Sequence, residues 1–255
     1  MSNYSPVAPV KCLREIQKEG FLGNYLLLLA HDVVDKENEY KALLQNFTGT
    51  IIMDNSLIEL GSSVSIDTMA EAVRITNATY AVLPDVLHNS SETITASITA
   101  ARLWRDLKIK SELMIVAQGN TVTERVQCIE EIINNASLTN FAIGIPRAIV
   151  KQDGTRLSTI EALEKRFHVK MHLLGFSVNY NDDIRCARSP NIMGIDSATP
   201  IRLGWEDKLI PLPSYTNDTA LQLRTQRDKF FIDCYKFNLS MAYNLGAINA
   251  AINTY

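Results

Sequence analysis

The chain has 255 residues, of which 46% are apolar, and its 25 Lys and Arg stand against 28 Asp and Glu for a formal net charge of −3. A chain of this length and composition can bury a large core without a disulfide or a metal, which excludes a disordered or fibrous protein. The small negative charge also argues against a protein that coats nucleic acid by bulk charge, although it leaves room for a local basic groove.

The N-terminal segment and the cysteines predict the compartment. Residues 1–10 lack the basic start and the long apolar core of a signal peptide, and the apolar run Leu26–Ala30 is far too short to span a bilayer. Cysteines stand far apart in the sequence, as reduced structural thiols do, at Cys12, Cys128, Cys186 and Cys234. We therefore expect a cytoplasmic protein without a membrane partner.

Short apolar, β-prone runs recur along the chain, and helix-like stretches separate most of them. The predicted strands are Tyr25–Ala30, Thr50–Met53, Tyr80–Pro84, Leu113–Ala117, Phe141–Ile145, Met171–Leu174 and Ile192–Ile195. Apolar residues at helical spacing predict helices over Val64–Asn77, Glu92–Leu107, Val122–Asn134 and Leu157–Phe167. This alternation of strands and helices indicates βα units and a parallel sheet.

The regular spacing of the predicted strands narrows the fold. Their ends recur at intervals of 21 to 33 residues, which fits one βα unit per interval. With an eighth strand expected in 200–213, the sequence predicts a (β/α)8 barrel over about 20–213. Helices over about 217–253 are expected to pack on its wall, in a single domain of residues 1–255. The competing fold is a doubly wound open sheet, but the glycine-rich turn of a dinucleotide site is missing after the first strand.

Polar residues follow several predicted strands at the point where each strand ends. Asp54, Asp85 and Asp196 follow the second, third and seventh strands, and Gln118 follows the fourth. In a barrel these positions converge at the C-terminal mouth, where the active sites of this fold lie. The alternative is that each Asp caps the next helix. Three carboxylates and an amide at equivalent positions favour a shared pocket.

These residue types suit chemistry at a sugar that carries a purine. Two carboxylates that face one substrate can divide the roles of nucleophile and proton carrier, as in retaining glycosidases. A third carboxylate and a Gln amide can hydrogen-bond an amide-bearing heterocycle. No metal site is predicted. His168 and His172 are four residues apart, a spacing that brings two ligands together on a helix, but His172 lies in a predicted strand. The sequence also has no P-loop. It has no lysine at a strand end, which argues against Schiff-base aldolase chemistry.

Six motifs in a fixed order resemble the guanine transglycosylase family. They are MDNS (53–56), LPDV (83–86), VAQGN (116–120), IGIPR (143–147), HLLGFS (172–177) and GIDSATPIR (194–202). Members of this family are (β/α)8 barrels that exchange guanine in a nucleic acid for a 7-deazaguanine base. The better-known branch acts on tRNA, and a shorter, phage-associated branch is implicated in placing 7-deazaguanines in DNA. The resemblance spans about 50–202, which is about 60% of the chain.

The resemblance implies a role for each matching residue. Asp196 resembles the nucleophile that bonds to C1′ of the sugar, and Asp54 resembles the general acid/base that handles the proton of the departing and arriving bases. The residues that correspond to the base pocket are Asp85, Gln118, Gly144 and Ser56, with the N–H of the glycine meeting the base carbonyl. The implied reaction is a double displacement, which needs no ATP or redox cofactor because one glycosidic bond replaces another.

Basic residues near the mouth are the candidates for contact with the nucleic-acid backbone. Arg202, six residues beyond Asp196, could hold a phosphate or support its own loop. The loop 147–156 carries three basic residues against one acidic residue and follows the fifth predicted strand. Arg147 and Lys151 in this loop are therefore predicted to contact the polymer.

Departures from the tRNA branch favour DNA as the polymer. That branch has a C-terminal CxCxxC…H zinc site, whereas the C-terminal region here has only Cys234. Asn55-Ser56-Leu57 stands in place of SGG, and Ser197 follows Asp196 in place of Cys. We expect two substrates, DNA with a single-stranded or flipped-out guanine and a free base such as 7-cyano-7-deazaguanine. The alternatives are the same exchange on tRNA, a non-catalytic nucleic-acid-binding subunit, and an unrelated barrel enzyme acting on a small nucleoside or sugar.

Overall fold

Eight parallel strands form one nearly closed barrel in the computed structural model, which describes residues 3–147, 156–176, 180–210 and 237–253. The strands are β1 (Asn3–Pro6), β2 (Tyr25–Leu29), β3 (Thr50–Asp54), β4 (Tyr80–Val82), β5 (Glu112–Val116), β6 (Phe141–Pro146), β7 (Met171–Leu174) and β8 (Ile192–Ser197). Each strand from β2 to β8 lies beside the next in chain order, and β1 pairs with β8. The predicted (β/α)8 architecture is confirmed.

Helices connect the strands and follow the last of them. They are α1 (Val10–Lys18), α2 (Ala30–Asp35), α3 (Glu37–Leu44), α4 (Leu57–Leu60), α5 (Ile66–Thr76), α6 (Ser90–Asp106), α7 (Val122–Ala136), α8 (Arg156–Glu164), α9 (Tyr180–Ala187), α10 (Thr199–Trp205) and α11 (Leu239–Asn253). The four helices predicted from periodicity are found as α5 to α8. Helix α11 packs on α10 and β1, as expected of the C-terminal helices, whereas residues 211–236 lie outside the described residues. Within the described ranges, no helix combines the length and the apolar character needed to cross a membrane.

The predicted position of the eighth strand is wrong over the part of 200–213 that the structure describes. Thr199–Trp205 is helix α10, and Pro200 stands in its first turn, where a proline suits a helix. The missing strand is instead Asn3–Pro6, ahead of the expected start of the barrel near residue 20. Its sequence, NYSP, has no apolar run, and only tertiary pairing with β8 makes it a strand.

The barrel closes between β1 and β2 through a side chain. These two strands stand at the ends of the hydrogen-bonded order and contact one another. The N–H of Leu27 donates to Oγ of Ser5 at 2.7 Å, and Ser5 is fully buried. The serine hydroxyl thus takes the place that a main-chain carbonyl has in an ordinary ladder.

Side chains alternate between the barrel interior and the surrounding helices. The interior cluster is almost wholly apolar and contains Val7, Tyr25, Leu27, Leu29, Ile52, Val82, Met114, Val116 and Ala142. Intervening residues such as Leu26 and Leu28 pack in the cluster between the sheet and the helices. This period of two continues past the strand ends, so Asp54 and Gln118 lie on the inner side at the mouth.

Gly194 in β8 makes room for an aromatic ring inside the barrel. A Cβ at this position would lie 2.5 Å from Cε1 of Tyr25 and 2.7 Å from the carbonyl oxygen of Asn3. Both distances are too short for a real contact. The absence of a side chain at position 194 therefore lets the Tyr25 ring lie across the interior toward β7 and β8.

The side-chain closure of the barrel predicts the effect of Ser5→Ala. This change leaves the Leu27 N–H buried without an acceptor, and we expect the free energy of unfolding to fall by about 1–3 kcal/mol. The exposed Ser91→Ala on α6 is the control and should change it by less than about 0.5 kcal/mol. Urea unfolding followed by circular dichroism measures both. Equal effects of the two substitutions would show that the closure does not depend on the hydroxyl.

Candidate active site

The three strand-end carboxylates converge at the C-terminal mouth of the barrel. Asp54 ends β3, Asp85 follows β4 and Asp196 is the penultimate residue of β8. Negative charge on Asp196 and on Asp85 acts on Asp54, which shows that the three share one electrostatic environment. None of them caps a helix. The N-cap residues of the helices that follow them are Ser56, Asn89 and Ala198.

The surroundings of Asp54 strongly favour its neutral, protonated form. Burial is the main cause that raises its pKa well above the usual value, and the nearby charge of Glu59 raises it further. Asp196 and Asp85 add smaller contributions in the same direction, while the hydrogen bond from the Ser56 N–H to Oδ2, at 2.8 Å, acts against them. A carboxyl group with a raised pKa can keep a proton and deliver it to a leaving group.

Ser56 shapes the turn that carries Asp54. It is fully buried and adopts φ = 61°, a left-handed conformation that is uncommon outside glycine. Its N–H points at Asp54, and its Oγ lies 3.4 Å from the main-chain nitrogen of His31. The structure thus places Ser56 as a support of Asp54, and its contact with a base stays a prediction.

Asp85 forms a buried hydrogen-bonded group with two amide side chains. Its Oδ1 accepts from Nδ2 of Asn55 at 2.7 Å, and its Oδ2 accepts from Nε2 of Gln118 at 2.6 Å. Oε1 of Gln118 accepts from the N–H of His88 at 3.0 Å, which sets the orientation of the amide. Burial raises the pKa of Asp85 even though both amide hydrogen bonds lower it.

The sequence did not single out Asn55, although it is the residue that aligns Asp85. Its Nδ2 also donates to the carbonyl of Leu83 at 2.9 Å, and its Oδ1 accepts from the N–H of Leu57 at 3.1 Å. The side chain therefore joins the loop after β3 to the loop after β4. Its position directly after Asp54, as a short polar residue in a turn, is the signal that could have identified it.

The Asp85 and Gln118 pair retains capacity for a ligand. Each carboxylate oxygen accepts two hydrogen bonds, and each uses one here on an amide. Gln118 keeps its second amide hydrogen and its second oxygen lone pair. This set matches a flat heterocycle that presents adjacent N–H and NH2 donors beside a carbonyl acceptor.

Asp196 is held by two donors on one oxygen. Its Oδ1 accepts from Nε2 of His172 at 2.9 Å and from the N–H of Gly175 at 3.0 Å. In the described part of the chain both hydrogen bonds fall on this atom, so Oδ2 is the oxygen left for a substrate carbon. The residue is 9% exposed, which combines desolvation with access from the mouth. A carboxylate held in this way can act as a nucleophile.

His172 contacts Asp196, whereas the sequence considered it as half of a metal pair and as the first residue of the motif HLLGFS. It is fully buried in β7, and its Nδ1 lies 2.6 Å from the hydroxyl of Tyr25. His168 is exposed, so the two histidines do not share a site. Among the residues that the structure describes, no three His, Cys, Asp or Glu side chains group as metal ligands do. The signal for His172 is its parity with Leu174, which puts a polar residue on the inner face of a strand.

Two buried arginines hold the loops at the mouth. Nη1 of Arg156 donates to the carbonyl of Gly175 at 2.8 Å and to Oδ1 of Asp183 at 2.7 Å, and Nη2 donates to the carbonyls of Ile145 at 2.9 Å and Leu174 at 2.5 Å. These bonds join the ends of β6 and β7.

Arg125 does the same for the loop after β5. Its Nε donates to the carbonyl of Gly119 at 3.1 Å, and Nη1 donates to Oγ1 of Thr159 at 3.0 Å. Gly119 adopts φ = 145°, and a Cβ there would lie 2.8 Å from Cβ of Glu124. Sequence reasoning counted Arg156 among the basic residues of the loop 147–156 and did not consider Arg125, because a buried arginine has the same sequence signature as an exposed one.

Gly144 lies on the inner face of β6 beside the pocket. Its Cα pairs in register with His172 of β7, next to Asp196. A Cβ there would lie 2.9 Å from Cδ1 of Leu174 and 3.4 Å from Sδ of Met114. A side chain at this position would displace Leu174 at the mouth, so the glycine keeps the interior open where a base would enter.

The residues predicted to contact the polymer differ in their surroundings. Arg147 is exposed at the end of β6, and its Nη1 donates to the carbonyl of Phe176 at 3.2 Å, close to the mouth. Arg202 in α10 is only 9% exposed, which favours support of its loop over contact with a phosphate. Lys151 lies outside the described residues.

Comparisons with protein families and with curated proteins found no relative. No protein-family model matches the sequence, and no curated protein matches it at a significant level. The resemblance to guanine transglycosylases therefore rests on the six ordered motifs, and the activity stays a prediction supported by the geometry of the mouth.

The raised pKa of Asp54 predicts a stability change with a defined pH dependence. Because the folded pKa lies above the unfolded one, this group stabilises the fold fully below the unfolded pKa and loses that contribution as the pH rises through the folded pKa. We expect Asp54→Asn to stabilise the protein by roughly 1 kcal/mol at neutral pH and to have little effect below about pH 4. Urea unfolding at both pH values measures the difference.

A matched control for this change is Asp106→Asn, at the exposed end of α6. It should alter the free energy of unfolding by less than about 0.5 kcal/mol at either pH. Destabilisation by Asp54→Asn at neutral pH would contradict a carboxyl group whose charge the site disfavours.

Proposed function

We propose that this protein is a transglycosylase that replaces guanine in DNA with a 7-deazaguanine, such as 7-cyano-7-deazaguanine. The observation that carries the proposal is that two carboxylates at the mouth of the barrel have contrasting surroundings. Burial and negative neighbours favour a protonated Asp54, whereas two hydrogen-bond donors hold Asp196. Pairs of carboxyl groups in contrasting environments mark the acid and the nucleophile of glycosyl-transfer enzymes.

In the first displacement, Oδ2 of Asp196 attacks C1′ of the target nucleotide. The bond between C1′ and N9 breaks, and its electron pair leaves with the guanine. Neutral Asp54 supplies the proton that the departing base takes up and becomes a carboxylate. The product is an ester between Asp196 and the sugar, with inverted configuration at C1′.

The second displacement reverses these steps with a different base. The 7-deazaguanine occupies the vacated pocket, gives its N9 proton to Asp54 and attacks C1′. The ester bond breaks, and its electron pair returns to Asp196 as a carboxylate. Two inversions retain the β configuration, and Asp54 ends the cycle protonated, so the reaction balances without an added cofactor.

The Asp85 and Gln118 pair supports guanine as the base. Guanine presents an N–H and an exocyclic NH2 side by side, which suits the free lone pairs of Asp85, and its carbonyl suits the remaining amide hydrogen of Gln118. A 7-deazaguanine has the same edge and differs only at position 7. One pocket can therefore bind the departing and the arriving base.

One feature outside the pocket favours DNA over tRNA, and a second indicates where a strand of either polymer would pass. The C-terminal region has one cysteine, Cys234, in contrast to the zinc site of the tRNA branch that the motifs resemble. Arg147 is an exposed cation close to the mouth, where a polymer strand would pass. A base inside a duplex is out of reach of a barrel mouth, so the guanine must be single-stranded or flipped out.

Base exchange is the direct test of the activity. Purified protein is incubated with single-stranded DNA, duplex DNA or tRNA that carries labelled guanine, and release of the label is measured after 7-cyano-7-deazaguanine is added. We expect release from DNA and the appearance of the modified nucleoside in digests examined by mass spectrometry. Exchange on tRNA alone would replace the DNA assignment, and no exchange on any of the three would sink the proposal.

The covalent intermediate gives a second test. Asp196→Asn should abolish the adduct between protein and DNA on a denaturing gel and slow exchange by about a thousandfold or more. Asp54→Asn should slow base release by about 100- to 10 000-fold, because the leaving base then lacks its proton donor. Asp106→Asn is again the control and should keep full activity. An adduct that persists in Asp196→Asn would assign the nucleophile to another residue.

A further inference from the structure

We propose that Tyr25 and His172 are positioning residues that hold the reactive carboxylate of Asp196 through one tautomer of the imidazole. This role deepens the proposed function and rests on it. The three side chains form a continuous hydrogen-bonded chain, with Tyr25 Oη 2.6 Å from Nδ1 of His172, and Nε2 of His172 2.9 Å from Oδ1 of Asp196. The chain crosses the barrel from β2 to β7 and β8.

The hydrogen-bond inventory selects a single protonation pattern for this chain. The proposed nucleophile attacks as a carboxylate, which can only accept, so Nε2 of His172 carries the proton that lies between them. Nδ1 of the neutral imidazole is then an acceptor, and the hydroxyl of Tyr25 donates to it. Burial raises the pKa of Tyr25, with the charge of Asp196 adding to the effect, so the hydroxyl keeps its proton.

An imidazolium ion at His172 fits the surroundings less well. Both ring nitrogens would donate, and the hydroxyl hydrogen of Tyr25 would need a second acceptor. Among the described residues, Nδ1 of His172 is the one hydrogen-bond partner found for that hydroxyl. The neutral tautomer with hydrogen on Nε2 therefore satisfies all three side chains, and the hydroxyl of Tyr25 selects it.

The polar side chains of Tyr25 and His172 are an exception among the apolar residues of the barrel interior. Neighbouring interior positions are apolar, for example Leu27, Ile52 and Met114. Burying a hydroxyl and an imidazole costs free energy unless both are hydrogen-bonded, and here each has a partner within the hydrogen-bonded chain. Gly194 has no side chain at the point where the ring of Tyr25 passes, and this leaves space for the ring to reach His172.

The held geometry serves both displacements. Two neutral donors, Nε2–H of His172 and N–H of Gly175, fix the rotation of the carboxylate and leave Oδ2 for C1′. When the ester forms, Oδ1 becomes its carbonyl oxygen and can keep both hydrogen bonds. When the ester breaks, the same donors stabilise the charge that returns to Asp196, without any proton having to move. The other tautomer would place a lone pair of Nε2 against the carboxylate, so Asp196 would lose this donor and face a repulsive contact.

Tyr25→Phe tests the proposal, with Tyr4→Phe as a matched control. Both changes remove one buried hydroxyl near Asp196, but the hydroxyl of Tyr4 donates to the carbonyl of Ser197 at 2.7 Å and not to His172. Nitrogen-15 NMR of histidine-labelled protein should show the neutral tautomer with hydrogen on Nε2 in the wild type and in Tyr4→Phe. In Tyr25→Phe, we expect the His172 signals to shift toward a mixture with the other tautomer or the imidazolium.

Single-turnover kinetics then link the tautomer to the reaction. Formation and breakdown of the DNA adduct should both slow by about 10- to 100-fold in Tyr25→Phe, with KM for DNA nearly unchanged, and by less than about threefold in Tyr4→Phe. His172→Gln, whose amide can still donate to Asp196, should retain more activity than His172→Leu. These two variants provide the test of the inference if Tyr25→Phe does not fold.

The outcomes separate this inference from the proposed function. A wild-type protein with hydrogen on Nδ1 of His172 would overturn the inference, as would equal rates for Tyr25→Phe and Tyr4→Phe in a protein that exchanges bases. If Tyr25→Phe does not fold, equal activity of His172→Gln and His172→Leu would overturn it. Absence of exchange in the wild type would refute the function, and the NMR measurement would still report the tautomer.

Discussion

The candidate site depends on a buried guanidinium that satisfies the carbonyl groups at the ends of two parallel strands. Such groups point into the mouth of a barrel and lose water when loops cover them, so each needs a donor. Arg156 supplies donors to the carbonyls of Ile145, Leu174 and Gly175, and Asp183 balances its charge. The residue that Arg156 fixes at the end of β7, Gly175, gives its own N–H to Asp196, so the position of the carboxylate follows from this ion pair.

The same mouth gives three carboxyl groups different properties by varying what surrounds them. Asp54 has one main-chain donor and negative neighbours, Asp85 has two amide donors, and Asp196 has an imidazole and a main-chain N–H. Burial raises the pKa of both Asp54 and Asp85. Desolvated carboxyl groups lower the stability of the folded protein, and such a loss is common where binding or catalysis requires it.

Much of the barrel was predictable because its signals are local. Apolar runs of strand length alternated with helical periodicity, and the regular interval between them indicated one βα unit after another. The eighth strand was predicted in the wrong place because β1 has no local signal of its own. Asn3–Pro6 is a strand because it pairs with β8 and because Ser5 bonds to Leu27, and both partners are distant in sequence. The range 200–213, where the eighth strand was expected, begins instead within α10.

The sequence by itself determined the barrel and brought Asp54, Asp85, Gln118 and Asp196 to its mouth, because a period of two and a common strand direction dictate where strand-end residues lie. Only the tertiary structure decided how each of them is held. Tyr25 and His172 are 147 residues apart and meet because β2 and β7 face each other across an interior that Gly194 leaves open. Hydrogen-bond partners and desolvation depend on such distant contacts, and they are what distinguish a proton carrier from a nucleophile of the same residue type.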